Sequence, residues 1–498
     1  MSRLLENKKY LLKTLKIATL LYNSGKYDDC LKYIEKISYS AWYNFAGYYT
    51  LNHFESIIRN IAAKSLHFKD QIISEKEDTT LHIFSEINQV GGHTKLLFNW
   101  IENDRDSKHY LLSTWQDAKE ITDIATSYNC NIDDRLYTFN KESNHLSKAQ
   151  KIIDILAEKN FSRIVLHIHP HDAIPSLVFS SDRLTSPVFF LNHAEHTYWL
   201  GAPVIDYLLQ IRESNIKKDS KNRNIPVEYQ FFLPIPVDES FSLNKKEKET
   251  FNILSIGRES KYEPNVEYNF YEAALNIVKE FDHVVFTIVG ISQNNPNRKI
   301  YEHDRLVFVE PTRDIKGFIE NTDLYLEGFP VPSFTSLLEP AMAGIPFVLH
   351  YNPSDIYKVF EEDRENGIFY PENLENWHET VGKMISDESY RHEINTKQES
   401  YLKNNFSLQA WKNKLKNCKE NTKNKTHKVR AIPQNETYVE GTDEKIVSLI
   451  EIKNVNHYTF TENLGIVSKL KVVALSFDNP SWVKVLSKKR TLGYLLGK

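Results

Sequence analysis

Short apolar runs alternate with amphipathic stretches twice along this chain, and that alternation limits the fold more than any other feature. In the first series, residues 79–84 (TTLHIF), 109–114 (HYLLST), 136–138 (LYT), 161–168 (FSRIVLHI) and 188–191 (VFFL) read as strands. The stretches from His93 onward, at 116–128 and at 148–159, read as helices between them. Strands separated by helices run parallel, with helices over both sheet faces. The second series predicts strands at 251–256, 284–289, 306–309, 324–326 and 346–350. Its helices fall at 268–281, 315–321 and 337–343, with more up to about residue 419. The fold class is therefore α/β, with two doubly wound Rossmann-like domains. The two prolines of FFLPIPVD (231–238) and the polar run 239–249 separate them.

Open parallel sheets bind ligands at the carboxyl ends of their strands, so the residues after each strand are the candidates. Gly91 and Gly92 form a tight turn after the first strand, where a ligand can approach the backbone closely. They are not a GxGxxG fingerprint, which argues against a plain dinucleotide site. His93 opens the helix that follows. Five of the eighteen histidines, His167, His169, His171, His193 and His196, fall within thirty residues at two further strand ends. Zinc is the minor reading of H-x-H-x-H and H-x-x-H, because Pro170 interrupts the first set. Most of these histidines read as structural groups bonding loop carbonyls. A polar pocket with His93 or His193 as base or orienter is the sharper reading.

Residues 323–346 (DLYLEGFPVPSFTSLLEPAMAGIP) carry the strongest local signal. A short strand stops at Glu327-Gly328, and Pro330 and Pro332 forbid a regular ladder or helix there. Thr335 and Ser336 then open a helix that Gly344 and Pro346 close. Two hydroxyls and free backbone N–H groups at a helix N-terminus make a phosphate site. Glu339 lies one turn in, on the face of Thr335, within reach of a ribose hydroxyl. An ordinary strand-loop-helix unit capped by Thr335 is the plainer alternative.

Composition removes several functions. The net charge of −4 offers nothing to bulk nucleic acid. Cys30, Cys130 and Cys418 share no motif, which fits a reducing compartment. Lys13 and Lys16 break the apolar character of the N-terminal stretch, so a signal peptide is not expected. No run of about 18 apolar residues occurs, so no transmembrane helix is expected. These features predict a cytoplasmic protein and leave peripheral contact with the inner face of a membrane open.

Residues 1–75 form a helical region in this reading, 76–236 the first domain, 237–424 the second and 425–498 an appendage. GKYDDCLKYIEKI (25–37) resembles one helical hairpin of a tetratricopeptide repeat, without a second copy at a fixed period. A helical cap on the next domain is the simpler reading, and an acceptor-binding module the sharper one. Residues 211–230 are charged and read as a helix end and exposed loop, and the basic, Asn-rich 412–430 as a linker or helix end. Runs 445–452 and 470–477 (LKVVALSF) are strand-like. The basic amphipathic end, VKVLSKKRTLGYLLGK, reads as a surface helix.

Residues 78–420 resemble the GT-B nucleotide-sugar glycosyltransferases. The resemblance rests on LPIPVD (233–238), NILSIGRESKYEPN (252–265) and DLYLEGFPVPSFTSLLEPAMAGIPFV (323–348). EPAMAGIPFV is similar to the family-4-like retaining enzymes, whose two glutamates are eight positions apart. Here Glu327 and Glu339 are twelve apart, which is more similar to protein O-GlcNAc transferases and their bacterial relatives. The resemblance implies that Thr335 and Ser336 hold a diphosphate and Glu339 the ribose. It further implies that Lys261, with Arg258, neutralises the leaving phosphate, and that His93 sits in a glycine-rich active-site loop with Gly91 and Gly92.

The expected activity is transfer of a hexosyl or N-acetylhexosaminyl group from a nucleotide diphosphate sugar, a UDP-sugar above others. The acceptor is a glycan, a lipid-linked saccharide or a protein side chain, within polysaccharide biosynthesis or protein glycosylation. His93, His193 and Lys261 are the catalytic candidates. No D-x-D pair follows a predicted strand, so no metal or other cofactor is expected. An inactive sugar-nucleotide-binding scaffold and a sugar-nucleotide epimerase are the alternatives.

Overall fold

The computed structural model describes residues 3–69, 77–89, 92–139, 144–237, 249–312, 314–353, 357–439, 455–476 and 488–497. The chain divides into two compact units. Met1–Ile211, Asn215–Phe231 and Cys418–Lys498 make the first; Arg212–Ser214 and Phe232–Asn417 make the second.

In the first unit β1 (Thr79–Phe84), β2 (Lys108–Ser113), β3 (Leu136–Thr138), β4 (Arg163–His167), β5 (Val188–Asn192), β6 (Tyr207–Gln210) and β7 (Gln230–Phe232) form one sheet. Its order is β3-β2-β1-β4-β5-β6-β7. β1 pairs in parallel with both β2 and β4, so the strand order reverses beside β1. Every residue of β1, β5 and β6 is buried, as strands covered on both faces require. The N-terminal helices Arg3–Asn23, Tyr27–Tyr43 and Asn52–Ser65 share that core. Leu21, Ile34 and Phe54 belong to the same cluster as Ile83, Leu166 and Trp199. Gly25, at φ 69°, makes the expected break between the first two helices.

Two expectations fail in this unit. The apolar run 470–477 predicts a strand, but Ile466–Ser476 is a helix. Its Val472 is buried while Leu470 and Val467 face out. A short apolar run does not separate strand from helix by periodicity alone, and here the helical stripe wins. Tail and N-terminal helices meet at His457, whose Nε2 and Nδ1 bond the hydroxyls of Tyr10 (2.9 Å) and Tyr33 (3.1 Å). The strand expected at 445–452 lies outside the described residues.

The second failure is the exposed loop at 211–230. Asn215–Asn222 is a helix, and Arg223 and Asp219 are buried. The charges are buried because they are satisfied. The Arg223 guanidinium pairs with Asp219 and lies over the rings of Trp199 (4.6 Å) and Tyr49 (4.8 Å). Asp219 Oδ2 also accepts from Asn192 Nδ2 and Gln210 Nε2, each at 2.7 Å. Lys217 and Lys221 stay in solvent. Further on, the basic stretch from residue 412 belongs to a regular helix, Leu408–Thr422.

In the second unit β8 (Phe251–Ile256), β9 (Val284–Val289), β10 (Leu306–Val309), β11 (Leu324–Leu326) and β12 (Phe347–Val348) form a sheet. Its order is β10-β9-β8-β11-β12, with β8 paired in parallel to β9 and β11. The order reverses between β8 and β11, which opens a crevice at their carboxyl ends. Helix Phe334–Met342 follows β11 and starts three residues earlier than predicted.

Candidate functional site

The crevice of the second unit holds a cavity of about 760 Å³. Four segments line it: 256–261 at the end of β8, Val289, Gly290 and Ser292 at the end of β9, Pro311 and Thr312 after β10, and Ser333, Thr335 and Ser336 at the start of helix Phe334–Met342. Glycines bring the segments together. Gly290 has φ 108°, and a Cβ there would meet the Gly257 carbonyl oxygen at 1.9 Å. A Cβ on Gly257 would lie 2.9 Å from both Ser333 Oγ and Tyr262 Oη. The glycines therefore let the loops after β8 and β9 pack against each other and against Ser333 with no side chain between them. Glu259 fixes the rim, accepting from Ser292 N (3.0 Å), Ser292 Oγ (2.7 Å) and Asn295 Nδ2 (3.2 Å). Those bonds hold its carboxyl below the ordinary range.

Three features draw an anion into the cavity beside the Glu259 carboxylate. The first N–H groups of helix Phe334–Met342 have no intrahelical acceptors, and its dipole is positive at that end. Arg258 lines the cavity and is exposed. Lys261 ends the 3-10 turn Glu259–Lys261, where its Nζ donates to the Pro332 carbonyl at 2.8 Å. Burial, then the charges of Arg258 and Arg212, push this amine down to about 8, against the pull of Glu327. An ammonium so placed has much to gain from an anion.

Glu327 is fully buried at the end of β11, where Oε2 accepts from His350 N at 2.8 Å. Burial pushes its carboxyl up to about 8, while the His350 bond, Arg212 and Lys261 draw it down. It supports the loop from below and is not a lining residue. Arg212, also buried, carries a guanidinium pushed down to about 10 by burial. Sequence reasoning missed Arg212 because it sits in a stretch read as exposed. It also missed Ser333, although a serine directly before a predicted helix is a usable signal.

Arg258, Lys261, Thr335 and Ser336 thus share one cavity. Glu339 is half-buried one turn farther along the helix and is not among the lining residues. Gly91 lies outside the described residues. Gly92 is exposed at the first position of helix Gly92–Asn103, with open space where a side chain would stand.

His93 and His193 belong to the first unit, where their ring centroids are 4.5 Å apart. The His93 ring bonds the backbone of His167, and its Nε2 is buried without a partner among the described residues. A carbonyl only accepts, so the proton sits on Nδ1 and Nε2 presents a bare lone pair. His193 Nδ1 faces the Leu191 carbonyl at 3.3 Å, which leaves its Nε2 basic in the same way. Burial, then neighbouring histidines, push His93 far below the ordinary imidazole range and His193 to about 4. Both rings therefore favour the neutral form, each with an Nε2 lone pair. Among the described residues no group of three His, Cys, Asp or Glu side chains is arranged to hold a metal ion. No described helix is long and apolar enough to cross a membrane.

No protein-family model matches this sequence. No curated protein matches it either. Solved structures do. A glycosyltransferase from Rickettsia africae aligns at TM-score 0.53 and 11% identity, covering 69% of this chain and 98% of that one. Anabaena Alr3699/HepE in complex with UDP aligns at TM-score 0.53 and 12% identity, covering 69% and 100%. A point mutant of the Thermobaculum terrenum O-GlcNAc transferase aligns at TM-score 0.51 and 11% identity over 84% of each chain. The fold of this chain is that of the GT-B glycosyltransferases.

Proposed function

We propose that this GT-B chain is a glycosyltransferase using a nucleotide diphosphate sugar, most simply a UDP-sugar, as donor. The observation that carries the reading is the cavity beside β8 and β11. It combines a helix N-terminus, the Thr335 and Ser336 hydroxyls, Arg258 and a charge-crowded Lys261 beside closely packed glycine turns. A diphosphate satisfies all of these groups at once. The UDP complex of a structurally similar protein supports the choice of base.

In this reading Thr335, Ser336 and the N–H groups of their helix turn hold the diphosphate. Glu339 takes the ribose hydroxyls. Breaking the sugar–phosphate bond leaves negative charge on the departing diphosphate, and Lys261 and Arg258 stabilise it. These fixed cations do what a metal ion does elsewhere, so transfer needs none. His93 or His193 accepts the proton of the acceptor hydroxyl, and Gly91 and Gly92 belong with the donor-binding residues. The acceptor is a glycan, a lipid-linked saccharide or a protein side chain, and the protein works in the cytoplasm or against the inner face of a membrane.

Release of UDP from UDP-sugars, assayed with purified protein, tests the reading. Slow release without acceptor and faster release with one support a transferase. Tight donor binding without any release would make the protein a scaffold instead.

A further inference from the structure

Three buried histidines cross the face of the first sheet in a single hydrogen-bonded line. His109 on β2 is in register with Thr80 of β1, and His167 on β4 with Phe84. His82 lies between those levels on β1, so all three fall two residues apart on one face. His167 Nε2 meets His82 Nδ1 at 2.9 Å, and His82 Nε2 meets His109 Nδ1 at 2.9 Å. His109 Nε2 meets the backbone carbonyl of Asp104 at 2.7 Å.

That carbonyl sets every proton in the line. It can only accept, so His109 carries its proton on Nε2 and offers a lone pair at Nδ1. His82 must then donate from Nε2 and accept at Nδ1. His167 must donate from Nε2, which leaves its Nδ1 bare. That atom is buried with no hydrogen-bond partner among the described residues. It is the single lone pair of the line not already engaged, and it sits at the carboxyl edge of the sheet. The ring of His93 is centred 6.3 Å from that of His167. At the other end the Asp104 carboxylate stands 3.9 Å from His109 Nε2.

We propose that His167, His82 and His109 form a proton relay that takes up a proton at His167 Nδ1 and holds the charge on His109. The new proton binds Nδ1 of His167, and its Nε2 proton passes to Nδ1 of His82. The Nε2 proton of His82 passes in turn to Nδ1 of His109. His167 and His82 end neutral as the opposite tautomers, and His109 ends as an imidazolium. Reversal of the three transfers restores the line.

The surroundings favour this direction. His93 and His193 crowd the entry, and their neighbourhood penalises a cation there. At the exit Asp104 favours the cation, while Lys419, which pairs with Asp104, and Arg163, which pairs with Asp78, oppose it. Trp100 packs edge-on against His82 and keeps the middle dry. Burial keeps the resting line uncharged. In the transferase reading the relay is the outlet for the acceptor proton, and that consequence rests on the reading; the relay itself does not.

The test is imidazole nitrogen NMR of the full chain labelled with 15N-histidine, as wild type and as His82→Gln, through a pH titration. Glutamine keeps a donor and an acceptor at residue 82 but passes no proton. At neutral pH all three wild-type histidines should carry the proton on Nε2. On acidification His167 and His82 should switch to Nδ1–H at the same pH at which His109 becomes the cation. In His82→Gln the cation should appear on His167 instead. A proton on Nδ1 of any of the three at neutral pH, or a wild-type cation on His167, overturns the relay. If the variant does not fold, the wild-type tautomers and titration decide alone. Donor turnover plays no part in this readout, so the relay and the transferase reading stand or fall separately.

Discussion

Lys261 Nζ donates to the carbonyl of Pro332 at 2.8 Å. The bond joins the loop after β8 to the loop before helix Phe334–Met342, and the Val331 N–H returns it by donating to the Lys261 carbonyl at 3.2 Å. Two walls of the cavity are thereby held by one residue, whose ammonium uses only one of its three donors in this bond. Lys261→Met should leave the protein folded, with the same helical signal as wild type, and slow UDP release from UDP-sugar by about 100-fold, the usual loss when one fixed stabiliser of a leaving charge is removed. Steady-state kinetics measures it.

The same amine gives a pH signature with two opposite signs. Its pKa falls from an ordinary 10.5 to about 8 in the folded protein. Above about 8 the folded form loses the ammonium, so affinity for UDP should fall as pH rises through that value. The unfolded chain keeps its proton up to 10.5 and therefore binds more protons between the two values. The Lys261 contribution to stability should rise across that interval. UDP titrations and denaturant unfolding at matched pH, with Lys261→Met as reference, separate the two trends.

Gly290 tests the packing of the cavity floor. With φ at 108° and the Gly257 carbonyl 1.9 Å from any Cβ, Gly290→Ala strains the backbone and forces two loops apart. The expected cost is about 3 kcal/mol, from left-handed strain and overpacking together. Chemical denaturation reads the loss, and UDP affinity should fall with it.

Asp219 tests the buried ion pair. Asp219→Ala leaves the Arg223 guanidinium uncompensated between Trp199 and Tyr49, and strips an acceptor from Asn192 and Gln210. Removal of one partner of such a pair costs about 3–5 kcal/mol. Loss of under about 1 kcal/mol in denaturant unfolding would mean that the charge escapes to water.

Metal independence has its own check. If Lys261, Arg258 and the helix N-terminus carry the leaving-group charge, transfer should continue in excess chelator at more than half its normal rate. A loss of activity restored by magnesium or manganese ions would refute the assignment.

The fold was legible where hydrophobic period and helix punctuation agreed. Strands β8, β9, β10 and β11 lie at the residues their apolar runs predict, between turn residues such as Gly257 and Gly290. The cavity lining was legible where it falls on a local motif: Thr335 and Ser336 announce a helix N-terminus, and Lys261 follows a strand by five residues. It was not legible where tertiary partners decide. Nothing local to Arg223 or Arg212 says that aromatic faces or a buried carboxylate await them. Helix Ile466–Ser476 reads as a strand until the N-terminal helices supply a surface for Val472. The line from His167 to His109 joins three strands, and a single sequence does not give their register.

Calorimetric titration of UDP into the wild-type protein, into Lys261→Met and into Thr335→Val/Ser336→Ala decides whether the cavity binds a nucleoside diphosphate. The wild type should show one UDP site. Lys261→Met should weaken it by about 10-fold or more, as loss of a charge-assisted bond requires. The double variant should weaken it by about 10-fold, from two neutral hydrogen bonds. Equal affinity in all three proteins, or no binding of any nucleoside diphosphate to the wild type, would contradict a UDP site in this cavity.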